Sequence, residues 1–291
     1  MTLGELIARV ARRFSAARLF YGHGTNNAHD EAVWLVLRAL GLPFDTDLDT
    51  PAREVERIEE LAERRIKERM PVAYLLKEAW LAGQPFYVDQ RVIVPRSHIA
   101  ELLPSLSRRP VRRVLDLCTG SGCLAILAAR AFPRAEIDAL DVSPAALAVA
   151  RKNVARYRLG RRVRLQRSDL FKALGSARYD LILTNPPYVA TPAIADLPAE
   201  YRHEPRVALA GGHDGLALVA RIVAAAPAHL EPGGLLACEI GDGQAAVRRR
   251  FRLKLTWPKR EVFIAERDAL LSAANTAAGA RGRPSRSPAR Q

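Results

Sequence analysis

The sequence has three cysteines in 291 residues, Cys118, Cys123 and Cys238. So few thiols argue against a disulfide framework. Cys118 and Cys123 flank a glycine turn, but no His or Cys pair completes a zinc site, so no metal is expected. No run is apolar for the roughly 18 residues a membrane helix needs. The N-terminus lacks the apolar block and small-residue cleavage site of a signal peptide. A cytoplasmic protein without membrane contact is the expectation. Aromatic residues make up 6% of the chain, and none interleave with a basic stripe as they do in single-strand binders. No internal repeat is present.

Hydrophobic residues reach 49%, enough at this length for one large core and a smaller domain. The formal net charge is +14 and the pI is about 10.4. That balance points to anionic partners, RNA above all. A general bias toward Arg and Ala gives the same charge without a partner, and both readings stand.

Residues 1–77 read as a helical domain. Asn27 caps a helix through Asp30–Leu37 that Gly41 ends, and Thr50-Pro51 opens another, with Pro in the first turn. Val55, Ile58, Leu61, Ala62 and Ile66 follow helical spacing on that second helix, with charges between them. Residues 78–110 form a connector: a hairpin from Ala79–Leu81 and Phe86–Val88, an extended Arg91–Arg96, and a helix from Ser97 to Leu106. Residues 111–272 alternate apolar strands with helices, which implies a doubly wound, mostly parallel α/β sheet. Residues 273–291 are rich in Ala, Gly, Arg, Pro and Ser without apolar periodicity and read as a disordered basic tail.

Asp116-Leu117-Cys118-Thr119-Gly120-Ser121-Gly122 falls where the first strand of this unit meets a helix. Glycines there permit a tight turn and close approach of a ligand to the backbone. Asp141 closes the second strand, where an acid accepts from ribose hydroxyls. By itself Gly120-Ser121-Gly122-Cys123-Leu124-Ala125 also fits a dinucleotide fingerprint. Two acids favour a different cofactor. Asp116 would repel a pyrophosphate but suits a cationic amino-acid group. Asp169, at the end of the third strand, can accept from an adenine amino group, or cap a helix. S-adenosylmethionine meets both conditions, with Asp116, Thr119, Gly120, Gly122, Asp141, Asp169 and Asn185 as its candidate contacts.

Leu181-Ile182-Leu183-Thr184 delivers Asn185-Pro186-Pro187-Tyr188 to the carboxyl edge of the sheet, where open α/β folds bind ligands. The two prolines fix the backbone and remove two N–H donors. The Asn185 side-chain oxygen and the Pro186 carbonyl remain as acceptors, and Tyr188 adds a flat wall. This array suits a planar NH2 whose lone pair is conjugated. Fixed acceptors stabilise the positive charge that builds on the attacking nitrogen and aim its lone pair. The motif alone does not separate an amide from a nucleobase amine.

These residues together resemble the class I methyltransferases that modify glutamine side-chain amides in proteins. The match runs from about Arg13 to Ile264. It is most similar to the branch acting on large-subunit ribosomal protein number three, through Tyr21-Gly22-His23-Gly24-Thr25, Asp30-Glu31-Ala32-Val33, Arg69–Leu75, Val94-Pro95-Arg96-Ser97 and Glu200–Pro205. The sister enzymes acting on translation termination factors usually follow Pro95-Arg96 with Pro-Glu-Thr. The resemblance implies a Rossmann-like fold, with Asn185 and Pro186 holding the glutamine amide and Pro187, Tyr188 and Arg96 beside it. It implies cofactor contacts at Gly120, Gly122, Asp141 and Asp169, and substrate recognition by the N-terminal helices. His98 departs from the usual Pro, and the segment before Val262 looks shortened. Ribosomal RNA or an assembling ribosome is a further candidate partner. Release factor methylation, nucleobase amino methylation and a non-catalytic RNA-binding role are the alternatives.

Overall fold

The computed structural model describes residues 1–272. The basic stretch 273–291, read above as a disordered tail, lies outside the described residues.

The first two N-terminal helices each have a side-chain start signal. In α1 (Leu3–Ala16) Thr2 and Glu5 form a reciprocal capping box. In α2 (Ala28–Ala39) the Asn27 side chain accepts from the Asp30 N–H at 2.9 Å. The backbone turns at Gly41, φ +70°, after the helix ends. The third helix, α3 (Val55–Glu68), departs from expectation. It begins after Glu54, not at Thr50-Pro51. The carbonyls of Thr50 and Leu48 accept the free N–H groups of Leu3 and Gly4, both at 2.9 Å. That stretch thus completes the start of α1 instead of opening a helix.

A short α4 (Val72–Leu76) leads into an antiparallel hairpin, β1 (Glu78–Leu81) and β2 (Gln84–Tyr87). An extended connector then reaches α5 (Ile99–Leu106). The α/β unit follows as β3 (Arg113–Leu117), α6 (Cys123–Ala131), β4 (Glu136–Asp141), α7 (Pro144–Arg156), β5 (Val163–Arg167), β6 (Tyr179–Thr184), α8 (Ala217–Ala225), β7 (Leu230–Glu239), α9 (Gln244–Phe251), β8 (Thr256–Lys259) and β9 (Val262–Glu266).

The seven strands lie in the order β5-β4-β3-β6-β7-β9-β8. The first five are parallel, and β9 runs antiparallel between β7 and β8. The chain winds outward from β3 through β4 to β5, then returns to β6 on the other side. This reversal opens a crevice at the carboxyl ends of β3 and β6. One apolar cluster packs α5 and α6 on one face of the sheet, and a second packs α8 and α9 on the other. A third joins the N-terminal helices to Val92 and Val94 of the connector and to Ala146 and Val149 of α7. Among the described residues, no helix is long and apolar enough to cross a membrane.

Candidate active site: two cavities that meet at Asn185

The loop after β3 needs left-handed backbone at Cys118, Gly120 and Gly122, with φ of 58°, 56° and 80°. A side chain on Gly122 would stand 3.2 Å from Ala150, so this glycine lets α6 and α7 approach. The Gly120 N–H donates to Asp141 Oδ2 and the Ser143 N–H to Asp141 Oδ1, both at 2.9 Å. Asp141 is thereby aimed from the end of β4 across the glycine turn.

A cavity of about 350 Å³ opens there. Gly120, Asp141, Asp169 and Asn185 line it, as does Cys118, which the sequence did not single out. Val92 and Ile93 of the connector and the stretch from Pro205 to Gly212 enclose it further. Asp116, Thr119 and Gly122 are not on this wall; they stand behind it. Asp116 is fully buried, and its Oδ2 accepts from Thr119 Oγ1 at 2.5 Å and from the Ala125 N–H at 3.1 Å. Its Oδ1 has no hydrogen-bond partner. Burial pushes this carboxyl up to about 7, against the pull of the Thr119 and Ala125 bonds. Asp169 makes no capping bond. Lys172 and Arg221 each hold it at 2.7 Å on the cavity rim.

A second cavity of about 80 Å³ adjoins the first. Arg96, Pro186, Tyr188 and Tyr201 line it, and Ile93, Asn185, Pro187 and Ala208 border both. The asparagine–proline–proline–tyrosine segment therefore stands between them. Its shape is set by glycines. A Cβ on Gly241 would lie 2.7 Å from the Tyr188 ring, and one on Gly215 2.4 Å from the Tyr188 carbonyl oxygen. Only hydrogen at these positions lets the neighbouring loops lie flat on the segment.

The Asn185 Nδ2 donates to the Arg96 carbonyl at 3.0 Å. That bond fixes which way the amide faces and leaves Oδ1 as a free acceptor. Arg96 is itself held. Its guanidinium is paired with both oxygens of Glu204 at 2.6 and 2.7 Å and lies over the Tyr201 ring. Glu204, buried, also accepts from the Val94 N–H at 2.9 Å. Thus Arg96 borders the small cavity with its charge already answered, and the contact it makes with the motif is through its backbone. Glu204 sits in a stretch of short 3-10 turns without periodicity, so its partner was not readable along the chain.

Replacing Glu204 with Gln should lower kcat about ten- to hundredfold, because sub-ångström drift of Asn185 is enough to lose alignment. KM for the cofactor should stay within a few-fold, since the larger cavity is intact. Steady-state kinetics on both substrates check this.

His23 lies 3.6 Å from Glu204 and 6% exposed, with neither ring nitrogen hydrogen-bonded. Burial lowers its pKa to about 4, outweighing the pull of Glu204. The unfolded chain takes up this proton near pH 6.5, and the folded chain only near pH 4. Stability contributed by the neutral ring is therefore complete above about pH 6.5 and falls as pH drops toward 4. The span is worth about 3 kcal/mol. Urea midpoints at about pH 7 and 4.5 should differ more in the native chain than in His23→Gln.

Residues 99–199 match the family model for the methyltransferase small domain. The hMettl16 catalytic domain aligns with a TM-score of 0.50 at 17% identity, over 73% of this chain and 80% of that one, which shows the fold. The ribosomal protein uL3 glutamine methyltransferase of Bordetella pertussis is 55% identical over 251 residues, 82% of this chain and 84% of that protein. Its counterpart from Burkholderia pseudomallei is 48% identical over 279 residues, 88% of this chain and 90% of that protein. The chain belongs to the uL3 glutamine methyltransferase family. The family's cofactor is S-adenosylmethionine.

The larger cavity fits this cofactor. Acids at the ends of β4 and β5, Asp141 and Asp169, offer acceptors to hydroxyl and amino groups, while Leu140, Val142 and Leu170 supply an apolar wall. Behind that wall the buried Asp116, whose Oδ1 is unpartnered among the described residues, adds acidic character that suits a cationic amino-acid end. A pyrophosphate would instead meet this row of carboxylates. A uL3 glutamine methyltransferase also needs a pocket the size of one amide side chain beside the cofactor, and the small cavity meets that need.

Proposed function

We propose that this chain transfers one methyl group from S-adenosylmethionine to the side-chain amide nitrogen of a glutamine in ribosomal protein uL3. The bond from Asn185 Nδ2 to the Arg96 carbonyl, 3.0 Å, is the observation that carries this reading. It presents Oδ1 as an acceptor at the border of the two cavities.

In this reading Gly120, Asp141 and Asp169 contact the cofactor directly. Asp116, Thr119 and Gly122 shape and charge the wall behind it. When bound, the cofactor supplies a methyl group on a sulfonium, already a good leaving group. The chain's own residues do the rest. Asn185 Oδ1 and the Pro186 carbonyl accept the two amide N–H groups, while Tyr188 and Tyr201 close the pocket and exclude water. As positive charge builds on nitrogen, these fixed acceptors stabilise it without reorganising. No side chain needs to act as a strong base first. Tyr188 is pushed up to about 12 by burial and the nearby Glu239, so at neutral pH it stays a phenol and serves as a wall. The surplus proton leaves the nitrogen after transfer, passing to solvent water as the product leaves the pocket.

The N-terminal helices dock the substrate protein, and the reaction takes place in the cytoplasm, where ribosomal proteins are assembled. Recombinant chain, labelled cofactor and unmethylated uL3, followed by peptide mass spectrometry, test the reading. A termination factor in parallel separates the sister activity. Label on a uL3 glutamine is the expected result; label on the termination factor alone would overturn it.

A further inference from the structure

The two edges of the sheet differ in how their charge is answered. At the carboxyl edge Glu204 and Glu239 are buried, and Glu204 and Asp169 are paired with Arg96, Lys172 and Arg221. At the other edge, the turns that enter β3, β4 and β5 lie side by side. The Glu136 N–H donates to the Arg112 carbonyl at 2.9 Å and the Ile137 N–H to the Arg162 carbonyl at 2.8 Å. Arg108, Arg112, Arg134, Arg156, Arg158 and Arg161 are all exposed on these turns. Glu136 is the exposed acid among them; Asp180 accepts from the backbone N–H groups of Arg112 and Arg113, and among the described residues none of the six guanidinium groups forms an ion pair with an acid. The arginines whose charge is engaged differ from these. Arg162 is spent on carbonyls of the α6–β4 turn, and Arg164 on Asp138 at 2.7 Å.

Helix dipoles explain a basic residue in a last helical turn, as for Arg130 and Arg156. They do not explain Arg112, Arg134 and Arg161, which stand beyond the helices in the turns before strands. Concentrating unpaired like charge costs stability through self-repulsion, and a polyanion removes that cost. Bidentate guanidinium groups suit phosphate oxygens.

We propose that this arginine-lined edge binds the phosphate backbone of RNA. Choosing RNA over other polyanions rests on the uL3 reading above, since a ribosomal protein is met on or near ribosomal RNA. An anionic membrane is the poorer fit. Surface binding to lipid needs apolar side chains to insert, and the exposed large hydrophobics, Met1, Phe44, Leu48, Val142, Val207 and Leu271, lie outside these turns. Strands of five residues at about 3.3 Å each separate this edge from the acceptor pocket. RNA held there leaves the pocket open to protein, so the chain can bridge the two components of an assembling particle.

The test compares the full chain with Arg112→Glu/Arg134→Glu/Arg161→Glu, and with Arg249→Glu/Arg252→Glu/Lys254→Glu on and after α9, all exposed, as a charge-matched control. A labelled ribosomal RNA hairpin is titrated at several salt concentrations, alongside phosphatidylglycerol vesicles. The triple reversal should weaken RNA binding at least tenfold. It should also flatten the slope of log K against log salt by about two units, at about 0.7–0.9 per lost phosphate contact. The control should change binding less than threefold, and methylation of free uL3 should be unchanged in both. Equal RNA affinity for the native chain and the triple variant would overturn the proposal. So would an equal loss in the control, or capture by vesicles without capture by RNA. Because free uL3 is assayed separately, failure here leaves the methylation reading standing, and its failure leaves RNA binding measurable.

Discussion

Asn185→Ala should reduce kcat/KM for uL3 at least about 10²- to 10³-fold, the range seen when one preorganised electrostatic contact to a transition state is removed. Asn185 is more than a contact. Its amide is anchored at Nδ2 by the Arg96 carbonyl, and the residues after it are prolines that cannot swing to replace it. Alanine therefore removes one of two acceptors and leaves nothing to move into its place. Cofactor affinity should fall less than tenfold, because Gly120, Asp141 and Asp169 keep their places on the larger cavity. Asn185→Asp separates geometry from polarity. It keeps the oxygen but loses the Nδ2 donor, so the side chain would face the Arg96 carbonyl with a negative charge, and a similar loss is expected. Labelled methyl incorporation and a cofactor thermal shift give the two readouts. Turnover above about a tenth of native in Asn185→Ala would mean that the Pro186 carbonyl alone holds the amide.

What the sequence could show of this site depended on chain-local physics. Asp141 and Asn185 stand at the ends of short, nearly continuous apolar runs, and Asp116 inside another, so motif positions on the sheet edge were legible from those runs and the turns that bound them. The order of the layers was not. Asp116 and Gly120 stand four residues apart, yet one lies behind the cavity wall and the other on it. That choice is made by the left-handed backbone at Cys118, which no composition signal marks. The roof of the cavity was invisible for a different reason. Val92 and Ile93 belong to an extended connector, held by Tyr74 Oη on the Val92 carbonyl at 2.6 Å and by Glu204 on the Val94 N–H. Both partners are far away in sequence. In the fold itself, α9 and β8 were unassigned because each lacks a period. α9 buries only Val247, its last turn being three arginines, and β8 contains Pro258 and alternates weakly on an edge.

Arg65 is the buried centre of the contact between the helical part and the turn that lines the pocket, with Phe20, His23, Glu68 and Arg69 adding contacts around it. It is 1% exposed and bonds Glu31 at 2.5 Å, Glu200 at 3.1 Å and the Phe20 carbonyl at 2.9 Å. Glu31 is 4% and Glu200 2% exposed. Glu200 stands one residue before Tyr201 and four before Glu204, so the helices grip the very turn that lines the acceptor pocket and steadies Arg96. Arg65→Met should cost about 3–5 kcal/mol of stability, because two buried carboxylates lose their common partner. The loss should come from stranded charge, not from a lost attraction. Adding Glu31→Gln and Glu200→Gln to Arg65→Met should therefore recover a large part of it, since a buried group that is neutral costs far less to leave unpaired. Urea unfolding of the three forms measures this, and a single-variant loss below about 1 kcal/mol would show the cluster to be wet enough to screen itself. The same variant tests the link to chemistry. In conditions where Arg65→Met remains folded, kcat for uL3 should fall while cofactor binding holds, because the turn at 199–204 loosens and the wall of the larger cavity does not. Equal losses in both would instead mean that the helices act by general stability alone.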